Sequence, residues 1–139
     1  MWRGFVPRQP GDEPAHPFDE TKALAELRAR IAGRENEPAE KVFKDIQVFK
    51  AMPAGRLLAV MEKGLAPALG VDCTHCHIAG AWEKGDKPQK QIAREMLKMT
   101  GTINDELLPK IAHLKSEKPI VNCTTCHRGE RKPALQLAR

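Results

Sequence analysis

The chain has 139 residues, room for one domain, and its 41% hydrophobic and 29% charged content is ordinary for a water-exposed fold. Its net charge of +5, from 23 basic and 18 acidic residues, is spread along the chain apart from a cluster at Arg128, Arg131 and Lys132, which argues against a nucleic-acid-binding stripe. Aromatic residues are only 4%, with no tyrosine, so a bulky apolar cofactor is expected to fill part of a thin core, and no stretch is long and apolar enough to span a membrane.

In chain order, residues 1 to 17 carry four prolines and are expected to form an extended arm lying on a surface or a partner. This stretch lacks the apolar run of a secretory signal, so an export leader is not expected within the sequence as given. Residues 19 to 32 are predicted helical, with Leu24, Leu27 and Ile31 at helical spacing and Gly33 as the stop. Asn36 to Pro38 is a turn. Residues 39 to 50, with Val42, Phe43, Ile46, Val48 and Phe49, are expected to form a short buried segment of open type. Pro53 suits a first helical turn, and Ala54 to Leu65 carries Leu57, Met61 and Leu65 on one face. Gly64, Pro67 and Gly70 are expected to break this helix before residue 73.

Two cysteine motifs then decide the chemistry. They read Cys73-Thr74-His75-Cys76-His77 and Cys123-Thr124-Thr125-Cys126-His127, each the signature of covalent haem c attachment. Cysteines at this spacing can present both thiols to one side of a helical turn, where they can meet two vinyl groups on one edge of a porphyrin. The following histidine, His77 or His127, then gives the iron its fifth ligand. A four-cysteine zinc site or a pair of redox dithiols are the competing readings. Zinc sites usually hold their pairs roughly 15–20 residues apart, whereas here residues 77 to 122 intervene, and neither alternative requires histidine after both pairs.

Between the motifs, Gly80, Gly85 and Pro88 mark a loop, and a second helix is predicted from Gln89 to Asn104 with the stripe Ile92, Met96, Met99 and Ile103. A looser stretch from Leu107 to Pro119 leads to the second motif, and the tail from Gly129 is expected to be irregular. Both halves run in the same order: a helix bearing methionine, a loop, then the motif.

An iron that only carries electrons needs a sixth ligand. Met61 is the candidate for the first haem, with Met52 as fallback. Met96, Met99 and His113 are the candidates for the second. His75, inside the first motif, is expected to face outward, and His16 lies on the N-terminal arm. A methionine more often fills core than binds metal, and spacing alone leaves these choices open.

Residues 40 to 133 resemble the cytochrome subunit of photosynthetic reaction centres and its smaller two-haem relatives. The resemblance runs through residues 42 to 49 (VFKDIQVF), 69 to 77 (LGVDCTHCH), 93 to 100 (AREMLKMT) with Ile103-Asn104, and 121 to 129 (VNCTTCHRG). It implies a methionine-donating helix before each motif, pointing to Met61 for the first haem and Met96 for the second. In the four-haem relatives a histidine shortly before the second motif ligates a haem in the other half of the protein, and His113 looks like that residue. This chain departs from that pattern in having two motifs, so it looks like half of the larger subunit.

The expectation is therefore a mainly α fold with little or no sheet. Residues 1–38 form an arm and short helix, 39–133 a domain holding two haem c groups, and 134–139 a tail. The implied role is electron transfer between redox proteins outside the cytoplasm, in the periplasm or beyond, with a photosynthetic or respiratory membrane complex among the partners. Two other readings compete: a conductive filament or cross-ligated homo-oligomer joined through His113 or the arm, and a small peroxidase-type enzyme with one open iron.

Overall fold

The computed structural model describes residues 18–137. The expected arm of residues 1 to 17, with His16, lies outside them. Helix α1, Glu20–Arg30, starts where the Asp19 carboxylate accepts the Lys22 amide hydrogen at 2.9 Å, an N-cap. Its inward face buries Leu24, Ile31 closes it and is buried too, and Gly33 at φ +81 turns the chain away.

Helix α2, Ala39–Val42, is a single turn, and the chain beyond it is irregular, with Asp45 and Phe49 both at φ 57. Sequence leads one to expect burial here. Instead Val42, Phe43, Ile46, Val48 and Phe49 are half-buried, because the interleaved Lys44, Asp45 and Gln47 keep the segment at the surface. The Ala39 amide donates to the Met52 carbonyl at 2.7 Å and the Ala54 amide to that of Glu37 at 2.9 Å, which joins the starts of α2 and α3. Among the described residues only isolated bridges form, and no strand.

Helix α3, Ala54–Val60, does not break at Gly64. It passes through a π-helical turn, Met61–Leu65, into α4, Ala66–Leu69. Pro67 explains the turn. Proline has no amide hydrogen, and its ring collides with the carbonyl four residues earlier, here that of Lys63. A π turn moves the hydrogen bonding to the fifth residue and widens the rod at that point. The helix ends at Gly70, φ +64, where the Val71 amide bonds the Ala66 carbonyl and the Gly70 amide that of Pro67, a Schellman closure.

The second half repeats this plan. Helix α5, Pro88–Thr102, opens with proline in its first turn and runs into a second π turn, Ile103–Leu107, with Pro109 just beyond it as Pro67 stands just beyond the first. Helix α6, Cys123–His127, is the second cysteine motif itself.

The buried side chains are Leu24, Ile31, Ala39, Ala54, Leu57, Leu58 and Ala68. The cluster of Ile31, Ala54 and Leu58, with Leu27, Val42 and Phe43 packed on it, joins α1, α2 and α3 across residue 38. Two clasps then attach the later elements. Asn104 in the second π turn donates to the Val121 carbonyl at 2.9 Å and accepts the Val121 amide hydrogen at 2.8 Å, which ties the end of α5 to the approach to α6. The Gly129 amide donates to the Ala68 carbonyl at 2.8 Å, which folds the chain after α6 against the end of α4.

Candidate functional site

The first motif is shaped by the residue before it. Asp72 is extended, and its carboxylate accepts the Thr74 amide hydrogen at 2.7 Å, which nucleates a 3-10 turn over Cys73–His75. Both cysteines, His77 and Met61 line one cleft of about 370 Å³, walled by apolar side chains from α1, α3 and the 42–48 segment. His77 Nδ1 lies 3.0 Å from the Trp82 carbonyl. A carbonyl can only accept, so Nδ1 carries the hydrogen and Nε2 is left free with a lone pair. The Trp82 ring meets the imidazole edge-on at 5.9 Å and in turn meets Phe18 at 6.3 Å. Burial lowers the His77 pKa, which favours the neutral, ligating imidazole.

The thiols speak against a redox dithiol. Burial pushes the pKa of both Cys73 and Cys76 up, and the carboxylates of Glu20 and Asp72 add to the effect at Cys73. A reactive dithiol requires the opposite shift.

The second motif is capped in the same way. The Thr125 amide donates to Asn122 Oδ1 at 3.2 Å, and the Asn122 amide to Thr125 Oγ1 at 3.0 Å, a reciprocal box that starts α6. Cys123 and His127 line a second cleft of about 660 Å³ together with Ile92, Met96 and Leu97 of α5, while Cys126 is exposed. His127 Nδ1 lies 3.0 Å from the Glu130 carbonyl, which assigns the same tautomer as in His77. The four cysteines thus divide between two places. Among the described residues no three His, Cys, Asp or Glu side chains gather as a metal cage.

The clefts are neighbours. Leu65, Leu69, Cys76, Ala93 and Leu97 line both, so a single layer of side chains separates them. Close approach of two backbones keeps them together: a Cβ on Gly70 would sit 2.0 Å from the Gly129 carbonyl oxygen.

His75 corrects the reading from sequence. It is half-buried and lines the second cleft together with Cys76, because that side of the first motif faces the other motif rather than solvent. Met61 and Met96 each line a cleft, whereas Met52, Met99 and His113 line neither. Met99 is 50% exposed, and His113 is exposed at φ +63.

Sequence reading passed over the polar groups in the wall of the first cleft. Lys90 Nζ meets the Asp45 carboxylate at 3.0 Å and the carbonyls of Trp82, Glu83 and Lys84 at 3.1, 3.0 and 3.2 Å. Arg94 holds the same Asp45 carboxylate at 2.9 Å. Hydrogen bonds from Gln47, Arg94 and Lys90 hold the Asp45 pKa well below the usual carboxylate range. Helical spacing of Lys90 and Arg94 was the available signal, but their acceptor lies on another segment.

Residues 5–137 match the family described as the photosynthetic reaction centre cytochrome C subunit. The chain belongs to this family.

The match extends the resemblance seen over residues 40 to 133 across α1 as well. Similar proteins include cytochrome c-554 of Chloroflexus aurantiacus, 30% identical over 85 residues covering 61% of this chain and 20% of that protein. The photosynthetic reaction center cytochrome c subunit of Roseobacter denitrificans is 31% identical over 105 residues, 70% of this chain and 27% of its own length. Its counterpart in Rubrivivax gelatinosus is 29% identical over 112 residues, 78% and 28%. The chain therefore spans about a fifth to just over a quarter of the curated relatives it matches.

Proposed function

We propose that this chain is an electron carrier with two haem c groups, one attached at Cys73 and Cys76 and the other at Cys123 and Cys126. The family is one of electron-transfer cytochromes, not enzymes. The observation that carries the reading is the matched pair of imidazoles. His77 and His127 each follow a cysteine pair, each line an apolar cleft, and each donate Nδ1–H to a backbone carbonyl at 3.0 Å. Histidines that ligate metal characteristically use their second nitrogen in this way, which orients the ring and raises its basicity. Both clefts fall within the roughly 300–1,000 Å³ usual for cofactor pockets. The half-exposed stripe of Ile92 and Met96 gives the second one an apolar wall suited to a porphyrin face.

Haem iron, when bound, supplies a one-electron couple. The chain's residues ligate, orient and insulate it. Met61 is the sixth ligand proposed for the first haem and Met96 for the second, with Met99 and His113 as the alternatives raised by the sequence. Thioether ligation favours ferrous iron and raises the potential. The shared wall of Leu65, Leu69, Cys76, Ala93 and Leu97 supports transfer from one haem to the other within the chain. Arg131 and Lys132 line the second cleft, where they suit haem carboxylates or an acidic redox partner. The partner we propose is a redox protein outside the cytoplasm, a photosynthetic or respiratory membrane complex included.

Maturation of the chain with haem c attachment machinery tests this. Mass spectrometry should find two macrocycles, and both irons should be low-spin and refuse carbon monoxide. One macrocycle ends the dihaem reading, and one high-spin iron that binds carbon monoxide favours the peroxidase-type alternative. Met61→Ala should open one iron to carbon monoxide and leave the other closed.

Oligomer formation through His113 is a second reading, favoured by its place in an exposed mixed segment that also shows Ile111 at 52% and Ile120 at 72% exposure. Size-exclusion chromatography of the mature chain and of H113A decides it: an assembly that H113A dissolves supports the reading, and identical elution removes it.

A further inference from the structure

We propose that Lys90, in the wall of the first cleft, sets the potential of the first haem by acting through the Trp82 carbonyl on His77. The inference rests on the dihaem reading above and adds a positioning residue to it.

The imidazole of a ligating histidine gains anionic character as its Nδ1–H bond strengthens, and an electron-richer imidazole favours ferric iron. The strength of that bond depends on its acceptor. Trp82 offers one carbonyl oxygen to two donors, His77 Nδ1 at 3.0 Å and Lys90 Nζ at 3.1 Å. The ammonium draws on the same lone pairs, so the carbonyl becomes a weaker acceptor for the imidazole. Its positive charge, one carbonyl removed from the axial ring, also opposes the ferric charge. Both effects favour ferrous iron and raise the potential.

Lys90 is built into this position. Its side chain is 11% exposed, and its ammonium distributes three N–H groups among the Asp45 carboxylate and three successive carbonyls, Trp82, Glu83 and Lys84. Arg94, also 11% exposed, pins Asp45 from the next turn of α5, so the lysine is held and not free to swing to solvent. The second haem has no such device. Its His127 donates to the Glu130 carbonyl at 3.0 Å, and among the described residues no cationic side chain donates to that oxygen. The two axial imidazoles thus share a tautomer and differ in the cation behind the acceptor.

Mediated redox titration of the mature full-length chain, with dithionite as reductant, tests this on Lys90→Gln, Lys90→Met and Lys90→Arg. Haem content by mass is measured on the parent first, so fewer than two macrocycles there sinks the dihaem reading and not the role of Lys90. In K90Q one of the two waves should fall, its ferrous-to-ferric ratio at fixed ambient potential dropping about three- to tenfold, at most about 59 mV for a one-electron couple. The other wave should stay in place, and both irons should remain low-spin. K90R, which keeps the charge, should titrate close to the parent. In the reduced, diamagnetic protein one imidazole Nδ1 proton should move downfield in K90M, which removes the competing donor, assigned to His77 through its contact with the Trp82 ring. Unmoved waves in K90Q, equal movement of both, or a K90R shift as large as that of K90M would overturn the proposal. K90Q keeps hydrogen-bonding capacity at the site, so it reports on the charge even if K90M fails to mature.

Discussion

A carboxylate and a side-chain amide explain why single residues matter in this protein beyond the cysteines. Asp45 sits at φ 57 on an irregular segment and gathers Gln47, Lys90 and Arg94. Its folded pKa lies below the ordinary 3.8. The stabilisation this gives is therefore complete above that value and is lost as pH falls below it toward the depressed folded value. Asp45→Asn should cost about 1 kcal/mol at neutral pH, the upper range for partly exposed ion pairs. Chemical denaturation across pH checks the sign: the gap between parent and variant should close as acid protonates Asp45, and a gap that widens in acid contradicts it. Asn104 is the other such residue. Asn104→Leu removes both bonds to Val121 and leaves its half-buried amide and carbonyl without partners, at a cost of about 2 kcal/mol. Hydrogen exchange should find the Val121 amide deprotected in that variant, while Asn104→Asp, which keeps the acceptor, should retain protection there.

Elements in this fold are specified by their ends. Helices α3 and α5 each have proline at their start, run into a π turn, and meet a second proline close behind that turn. Each cysteine motif is started by a short polar residue, Asp72 or Asn122, capping the turn. The end of α4 is the most constrained. Gly70 adopts φ +64, and the carbonyl of Gly129 occupies the place a side chain would take. Gly70→Ala carries the left-handed penalty of about 1–2 kcal/mol and must also push the chain after α6 away from α4. Thermal or denaturant unfolding should register a loss larger than the backbone penalty alone, and faster hydrogen exchange at the Gly129 amide, which bonds the Ala68 carbonyl, should accompany it. A variant that matches the parent in both would mean that the contact at Gly129 gives way freely.

Across the whole molecule, burial is lopsided. Among the described residues all the buried hydrophobic side chains lie between Leu24 and Ala68, whereas α5 presents Ile92, Met96 and Met99 at 39–56% exposure. The first half has a protein core of its own, and the second half depends on its clasps and on what fills the second cleft. Removal of the second cysteine pair, Cys123→Ala with Cys126→Ala, should therefore loosen α5 and α6 and leave α1 and α3 protected. Hydrogen exchange resolves the halves, and a uniform loss of protection would show that they fold as one unit.

Chemistry written in adjacent residues was legible from the sequence. The cysteine spacing, the histidine after each pair, the helical stripes carrying Met61 and Met96, and the helix over residues 19 to 32 are all local patterns. Type and spacing alone define them. What depended on distant segments was not legible. Helix breaking at Gly64 fails because a π turn accommodates Pro67, and His75 turns inward because the second motif lies behind the first. Lys90 reaches His77 only through the carbonyl of Trp82 on a separate loop. The glycines at 70 and 129 mean little until the backbones carrying them meet. Sequence by itself determined which groups the protein has to offer a cofactor, and the tertiary structure decided which of them share a cleft, since that is set by packing between segments far apart in the chain.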